Sequence, residues 1–172
     1  QVAARLQTTG PQHTAGSNLR DVGQYAGVED ENTFGYGENA TRVSRFWPDG
    51  ACRTAGREYN GLLESACHTK GEMTCLSCHS MHRSDPNDQL AARMDGNQAC
   101  LQCHQSFRNR IEEHTHHPAA SSGSLCYNCH MPFSAYALLT AMRSHRIDNP
   151  SPETSARTGR PNACNLCHLD KT

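Results

Sequence analysis

A chain of 172 residues with a formal charge of −1 offers no electrostatic argument for binding nucleic acid, and no stretch approaches the roughly 20 apolar residues of a membrane span. Leu, Ile, Val and Phe together supply only 22 of the 172 residues, too few for an aliphatic core, yet the near-zero charge is not that of a disordered chain. Ten Cys and eleven His point instead to buried mass supplied by a bound metal or cofactor.

In chain order, residues 1–50 contain no Cys, one His (His13) and many small polar residues, and read as an irregular N-terminal segment. No basic stretch followed by an apolar run opens the chain, so an exported protein is expected to begin at Gln1 after processing. Phe46-Trp47-Pro48-Asp49-Gly50 combines turn chemistry with two aromatic rings suited to covering a cofactor edge. Residues 51–172 then form a second unit holding all ten Cys and ten of the eleven His. Its first two cysteines, Cys52 and Cys67, belong to no short motif. A disulfide between them is the plain expectation in an oxidising compartment; two thiols, or a stretched attachment motif ending at Cys67-His68, are the alternatives.

Four times the chain reads Cys-x-x-Cys-His: Cys75, Cys78 and His79; Cys100, Cys103 and His104; Cys126, Cys129 and His130; Cys164, Cys167 and His168. Two thiols three positions apart lie on one face of a helical turn and can each form a thioether to a haem vinyl group. The adjacent His then reaches the iron. Shuffling this composition would give about 0.04 such motifs. Two Cys₄ zinc sites are the competing reading, but zinc has no need of a His after every second Cys. The expected cofactor is haem c, four copies, covalently held.

Between and after these motifs the chain carries further His. His82 follows His79 by three positions, so on a continuing helix it would share the face of His79 but serve a neighbouring haem. Ser84-Asp85-Pro86 is expected to open a short helix running through Met94, interrupted at Gly96. Ser106 to His114 reads as a helical run stopped by Pro118. His114 and His117 share one face there, with His116 turned away. Tyr136 to His145 reads as an amphipathic helix ending in His145, and 151–161 as a loop before the last motif.

Four His are used beside the second Cys of each motif, leaving His13, His68, His82, His114, His116, His117 and His145. Seven exceed four, so every iron can take two His; His82, His114, His117, His145 and His13 are the expected far-side ligands. An iron with both axial positions filled has no site for substrate and transfers electrons only. The expected fold is mainly irregular with short α-helices, packed around four haems, with almost no β-sheet.

On Phe46-Trp-Pro-Asp-Gly50, Gly56-Arg-Glu-Tyr-Asn-Gly61, Cys75-Leu-Ser-Cys-His-Ser-Met-His82, Glu113-His-Thr-His-His117, Cys126-Tyr-Asn-Cys-His-Met-Pro132, Arg143-Ser-His145 and Gly159-Arg-Pro-Asn-Ala-Cys-Asn-Leu-Cys-His168, the chain resembles multihaem cytochromes c of a bacterial group often fused to helical repeats. The resemblance covers about residues 46–170 and implies an electron-carrying haem domain. It supports His82, the 114–117 cluster and His145 as functional. The repeats themselves are not present in this sequence. In plan the chain is also similar to tetrahaem cytochromes that polymerise into extracellular conducting filaments.

The function expected is electron transfer between redox partner proteins outside the cytoplasm, extracellular or periplasmic, without enzymatic turnover. The filament plan adds a head-to-tail homopolymer, in which His13 reaches a haem of the next subunit. The competing readings are a monomeric periplasmic carrier and a multihaem reductase of nitrite, hydroxylamine or a sulfur oxyanion. A reductase needs one open iron beside proton donors, and no Cys-x-x-Cys-Lys motif marks one here.

Overall fold

The computed structural model describes residues 46–54, 58–80, 82, 88–137 and 139–170; the segment 1–45, and His13 with it, lies outside them. Among the described residues the chain makes six short α-helices, four 3-10 turns and one two-stranded antiparallel sheet. A mainly irregular chain with short helices is what the composition implies. The protein core is correspondingly thin: Phe46, Ala51, Leu62, Leu101 and Ala163 are the buried apolar residues among those described.

The Pro-Asp-Gly turn forms as expected. The Gly50 N–H donates to the Trp47 carbonyl at 2.8 Å with Gly50 at φ 83°, and Phe46 bridges Cys52 beyond it. Helices α1 (Glu58–Glu64) and α2 (Ala66–Thr69) follow, hinged on the fully buried Ser65. Helices α3 (Gln98–Leu101), α4 (Ile111–Thr115) and α5 (Cys126–His130) come next, then β1 (Phe133–Ala137), β2 (Thr140–Arg143) and α6 (Pro152–Thr158).

Two arginines clamp distant parts of the chain. Arg146 lies within ion-pair distance of Asp49, Glu64 and Asp148, and Arg160 within that of Asp49 and Asp148. Asp49 is the buried hub, its side chain 7% exposed. Five half-buried charges of alternating sign compensate one another where a lone buried carboxylate would be costly.

Several local expectations are corrected. The helix expected over 136–145 is a β-hairpin, pairing Phe133 with Arg143 and turning through Leu139 at φ 59°. Arg143 decides it: its guanidinium stacks over Tyr127 and Phe133 at 4.1 and 4.2 Å. It also donates to the Tyr127 and Met131 carbonyls and to Asn128. A local helical periodicity does not outweigh that many fixed partners. The described part of the helix expected through Met94 is instead turn and bridge. Gln89 and Arg93 have positive φ, and Leu90 pairs with His79. The loop expected at 151–161 contains α6, whose Ser151 hydroxyl caps the Thr154 N–H at 3.1 Å, with Pro152 in the first turn and left-handed Gly159 closing it. The run 106–114 splits into a 3-10 turn, Gln105–Phe107, and α4, which ends at His116 in a left-handed conformation.

Candidate haem-binding site

Each Cys-x-x-Cys-His segment folds into one tight helical turn. The His N–H donates to the first Cys carbonyl in the motifs at 75, 100 and 164, at 2.9, 2.9 and 2.8 Å, and the motif at 126 is α5 itself. This winding is what brings two thiols and the imidazole to one side. Side-chain amides join the turns to one another. Gln102 donates to the Ser77 carbonyl at 3.0 Å. Asn97 donates to the Ser124 carbonyl at 2.8 Å and accepts from the Cys126 N–H at 2.9 Å. The buried Asn162 caps the last motif by accepting from the Cys164 N–H at 2.8 Å.

Three of the four motif histidines face a second histidine from elsewhere in the chain. The His79 and His145 rings lie with centroids 6.1 Å apart and planes at 24°. His114 and His130 lie at 6.1 Å and 8°, and His117 and His168 at 5.9 Å and 36°. Two imidazoles in van der Waals contact would sit closer. A metal with nitrogen bonds of about 2 Å on each side sets centroids about 6 Å apart. The spacing of His114, His117 and His145 from their motif histidines therefore fits an iron between the rings.

The rings are held from behind. His145 Nδ1 hydrogen-bonds the Arg143 carbonyl at 3.1 Å, His117 Nδ1 the Thr115 carbonyl at 2.6 Å, and His130 Nδ1 the Asp148 carbonyl at 2.9 Å. A carbonyl on one ring nitrogen orients the other toward a metal and fixes the tautomer. Burial, ahead of its other contacts, lowers the His145 pKa and keeps the ring neutral, as ligation requires. Two glycines make room. A Cβ on Gly61 would lie 2.5 Å from the Arg146 nitrogen and 2.7 Å from the His145 carbonyl carbon, and one on Gly123 2.6 Å from the His117 ring.

The motif thiols neighbour one another in sequence order. Burial first, then the Cys103 and Cys67 thiols, raise the pKa of Cys78. Cys100 and Cys126 share a hydrogen bond that pushes Cys100 up and Cys126 down to about 7. Cys129 is raised by burial and by Cys164, Cys126 and Cys167. His114 on α4 and His117, just past the left-handed His116 that ends it, further connect the third motif to the fourth.

The expected far-side ligand His82 is not drawn in, while His116 is turned away as expected. His82 is on no helix, because His79 and Ser80 pair with the returning strand at Gln89–Leu90. It is exposed and faces no motif histidine among the described residues. His116 is exposed beside Phe107, Arg110, Glu113 and His114. No disulfide joins Cys52 to Cys67; the Cys52 thiol donates to the Thr54 carbonyl at 3.4 Å, while Cys67 sits beside Cys78 and Cys100. Ser65 and Gly123 position histidines without any local sequence signal that would have marked them, and Gly61 and Arg143 stand out only within the segments that carry the resemblance.

Residues 67–109, about a quarter of the chain, match the family of the doubled CXXCH motif. The match supports a multihaem c-type cytochrome. Motifs of this kind indicate covalently bound haem c, imply export and suggest haem-based electron transfer. No curated protein and no solved structure matches the chain. Among the described residues no helix is long and apolar enough to cross a membrane.

Proposed function

We propose that this chain is a tetrahaem electron-transfer protein. Haems are attached at Cys75/Cys78, Cys100/Cys103, Cys126/Cys129 and Cys164/Cys167, with His79, His104, His130 and His168 as proximal ligands. The observation that carries the reading is the set of three imidazole pairs near 6 Å. His145, His114 and His117 are the far-side ligands of the first, third and fourth haems. When bound, each haem supplies a one-electron centre. The chain's part would be to offer each haem the histidine of its attachment segment and, in three cases, a second from elsewhere, which would leave little access for substrate or solvent and little rearrangement on a change of charge.

The neighbouring of Cys78 with Cys103, Cys100 with Cys126 and Cys129 with Cys164 and Cys167 supports electron flow in motif order, entering and leaving at the two ends. Cys75 of the first motif, Cys103 of the second and both cysteines of the fourth are exposed, and the first and last haems stand at the ends of that order, where redox partner proteins would meet them. On this reading the finer proposal is a subunit of an extracellular filament, chains joining head to tail so that the last haem of one copy meets the first of the next. A monomeric periplasmic carrier uses the same chemistry without the assembly. A reductase would need an open iron, and the three histidine pairs leave only the His104 position for one.

The test is the mass and spectrum of the fully loaded protein: a mass excess of four haems, with the His79, His130 and His168 haems low-spin. Fewer than four haems, or His145→Ala, His114→Ala and His117→Ala variants that all keep the native spectrum, would overturn the assignment. Electron microscopy and sedimentation of the native protein at high concentration separate filament from monomer.

A further inference from the structure

We infer that His68 is the far-side axial ligand of the haem attached at Cys100 and Cys103, opposite His104. The inference deepens the tetrahaem reading and rests on it.

The three facing pairs use six histidines. Among the described residues that leaves His104 with His68, His82 and His116 as candidates to face it. Two features separate His68 from the other two. The first is its second nitrogen: His68 Nδ1 hydrogen-bonds the Met73 carbonyl at 2.7 Å, the arrangement seen at His145 and His117, which leaves Nε2 as the nitrogen available to a metal. No ring hydrogen bond orients His82 or His116 among the described residues, whereas His68, like His145 and His117, has one.

The second is how the carbonyl is delivered. The segment from Cys67 to Met73 is closed by the Met73 N–H donating to the Cys67 carbonyl at 3.2 Å. At Gly71 a Cβ would lie 2.7 Å from that same carbonyl oxygen, so the closure needs a residue without one. Gly123 at His117 and Gly61 at His145 meet the same demand for space. Three tightly packed glycines thus each serve the setting of one histidine, and two of those histidines already face a motif partner.

Position agrees. His68 follows Cys67, and Met73, whose carbonyl its ring bonds, stands two residues before Cys75 of the first motif. The Gln102 amide holds the second motif against the first through the Ser77 carbonyl. His68 therefore sits beside the first attachment segment, which the Gln102 amide joins to the second, and the first already has His145. The His68 and His104 rings do not face each other as the other pairs do. His104 is exposed, and turning an exposed side chain between staggered rotamers costs little.

The experiment uses the full, haem-loaded chain and four variants: His68→Ala, His68→Met, His82→Ala and His116→Ala. Mass should report four haems in all of them, because attachment depends on the Cys-x-x-Cys-His segments. His68→Ala should turn one ferric haem in four high-spin. His68→Met should keep all four low-spin while raising the potential of one, since a thioether ligand favours reduced iron. His82→Ala and His116→Ala should match the parent in spin state and potentials. Four low-spin haems of unaltered potential in both His68 variants would overturn the inference, as would a high-spin haem in the parent or in His82→Ala. A haem count below four in the parent would instead count against the tetrahaem reading. If His68→Ala does not accumulate, the potential of His68→Met decides alone.

Discussion

The buried hydroxyl of Ser65 donates to the carbonyl of His145, 80 residues further along the chain, at 2.8 Å, with the Gly61 carbonyl equally near at 2.9 Å. It also accepts from the Ile147 N–H at 3.0 Å. One small side chain thus fastens the hinge between α1 and α2 to the segment bearing a far-side ligand. Ser65→Ala leaves that carbonyl and N–H buried without this partner and should cost about 1–3 kcal/mol. A high-spin fraction should appear at one haem. Chemical denaturation followed at the Soret band reads both effects, and an unchanged midpoint with an unchanged spectrum would refute the link.

Gly123→Ala should displace the His117 ring, which lies 2.6 Å from where the new methyl would sit. Overpacking of this kind costs about 1–3 kcal/mol. The penalty should fall away in the His117→Ala background, because the clash and the ring disappear together. A double-mutant cycle by thermal melting measures that coupling, and additive penalties would mean the strain lies elsewhere.

His114 and His117 face different motif histidines, His130 and His168. Replacing each by Ala should convert one haem to high-spin, and the double variant two. His116→Ala should convert none, since the left-handed His116 closes α4 outside either pair. Low-temperature electron paramagnetic resonance counts the affected haems; one high-spin haem in the double variant would show that both histidines serve a single iron.

No disulfide joins Cys52 and Cys67, so the denatured, haem-loaded chain should take up two alkylating groups without prior reduction. Uptake only after reduction would restore the disulfide, and no uptake together with a fifth haem in the mass would restore the stretched attachment motif.

Glu64 should make a small contribution to the pH dependence of stability. Burial raises its pKa above the ordinary 4.5, against the opposing pull of Arg146. Folding therefore favours the protonated form. The associated stabilisation is complete below 4.5 and is lost as pH rises through the folded-state value. With 38% of the side chain exposed, screening holds the effect below about 1 kcal/mol. Glu64→Gln should flatten the melting temperature across that window, which a pH series of thermal melts would show.

The attachment chemistry was legible in the residues because it is local. Cys75, Cys78 and His79 lie within one turn, and the hydrogen bond from the His79 N–H to the Cys75 carbonyl needs nothing from the rest of the chain. The capping of α6 was legible by the same rule: Ser151, Pro152 and Gly159 stand at its start and stop, although the segment reads as loop when its Pro and Gly are taken only as breakers. The 136–145 segment shows the opposite. Its apolar spacing suits a helix, and only Arg143 meeting Tyr127, Met131 and Phe133 makes it a hairpin.

By itself, the sequence determined that four thiol pairs each stand beside a histidine and that histidines are in surplus. Which histidine faces which was decided by tertiary structure alone. Bringing His145 to His79, or His117 to His168, closes long loops whose entropy is repaid only by contacts between distant segments. Those contacts are a buried serine hydroxyl, an arginine fork and glycines thin enough for two backbones to touch. None of them repeats with a helical or strand period, so none leaves a mark that periodicity can read.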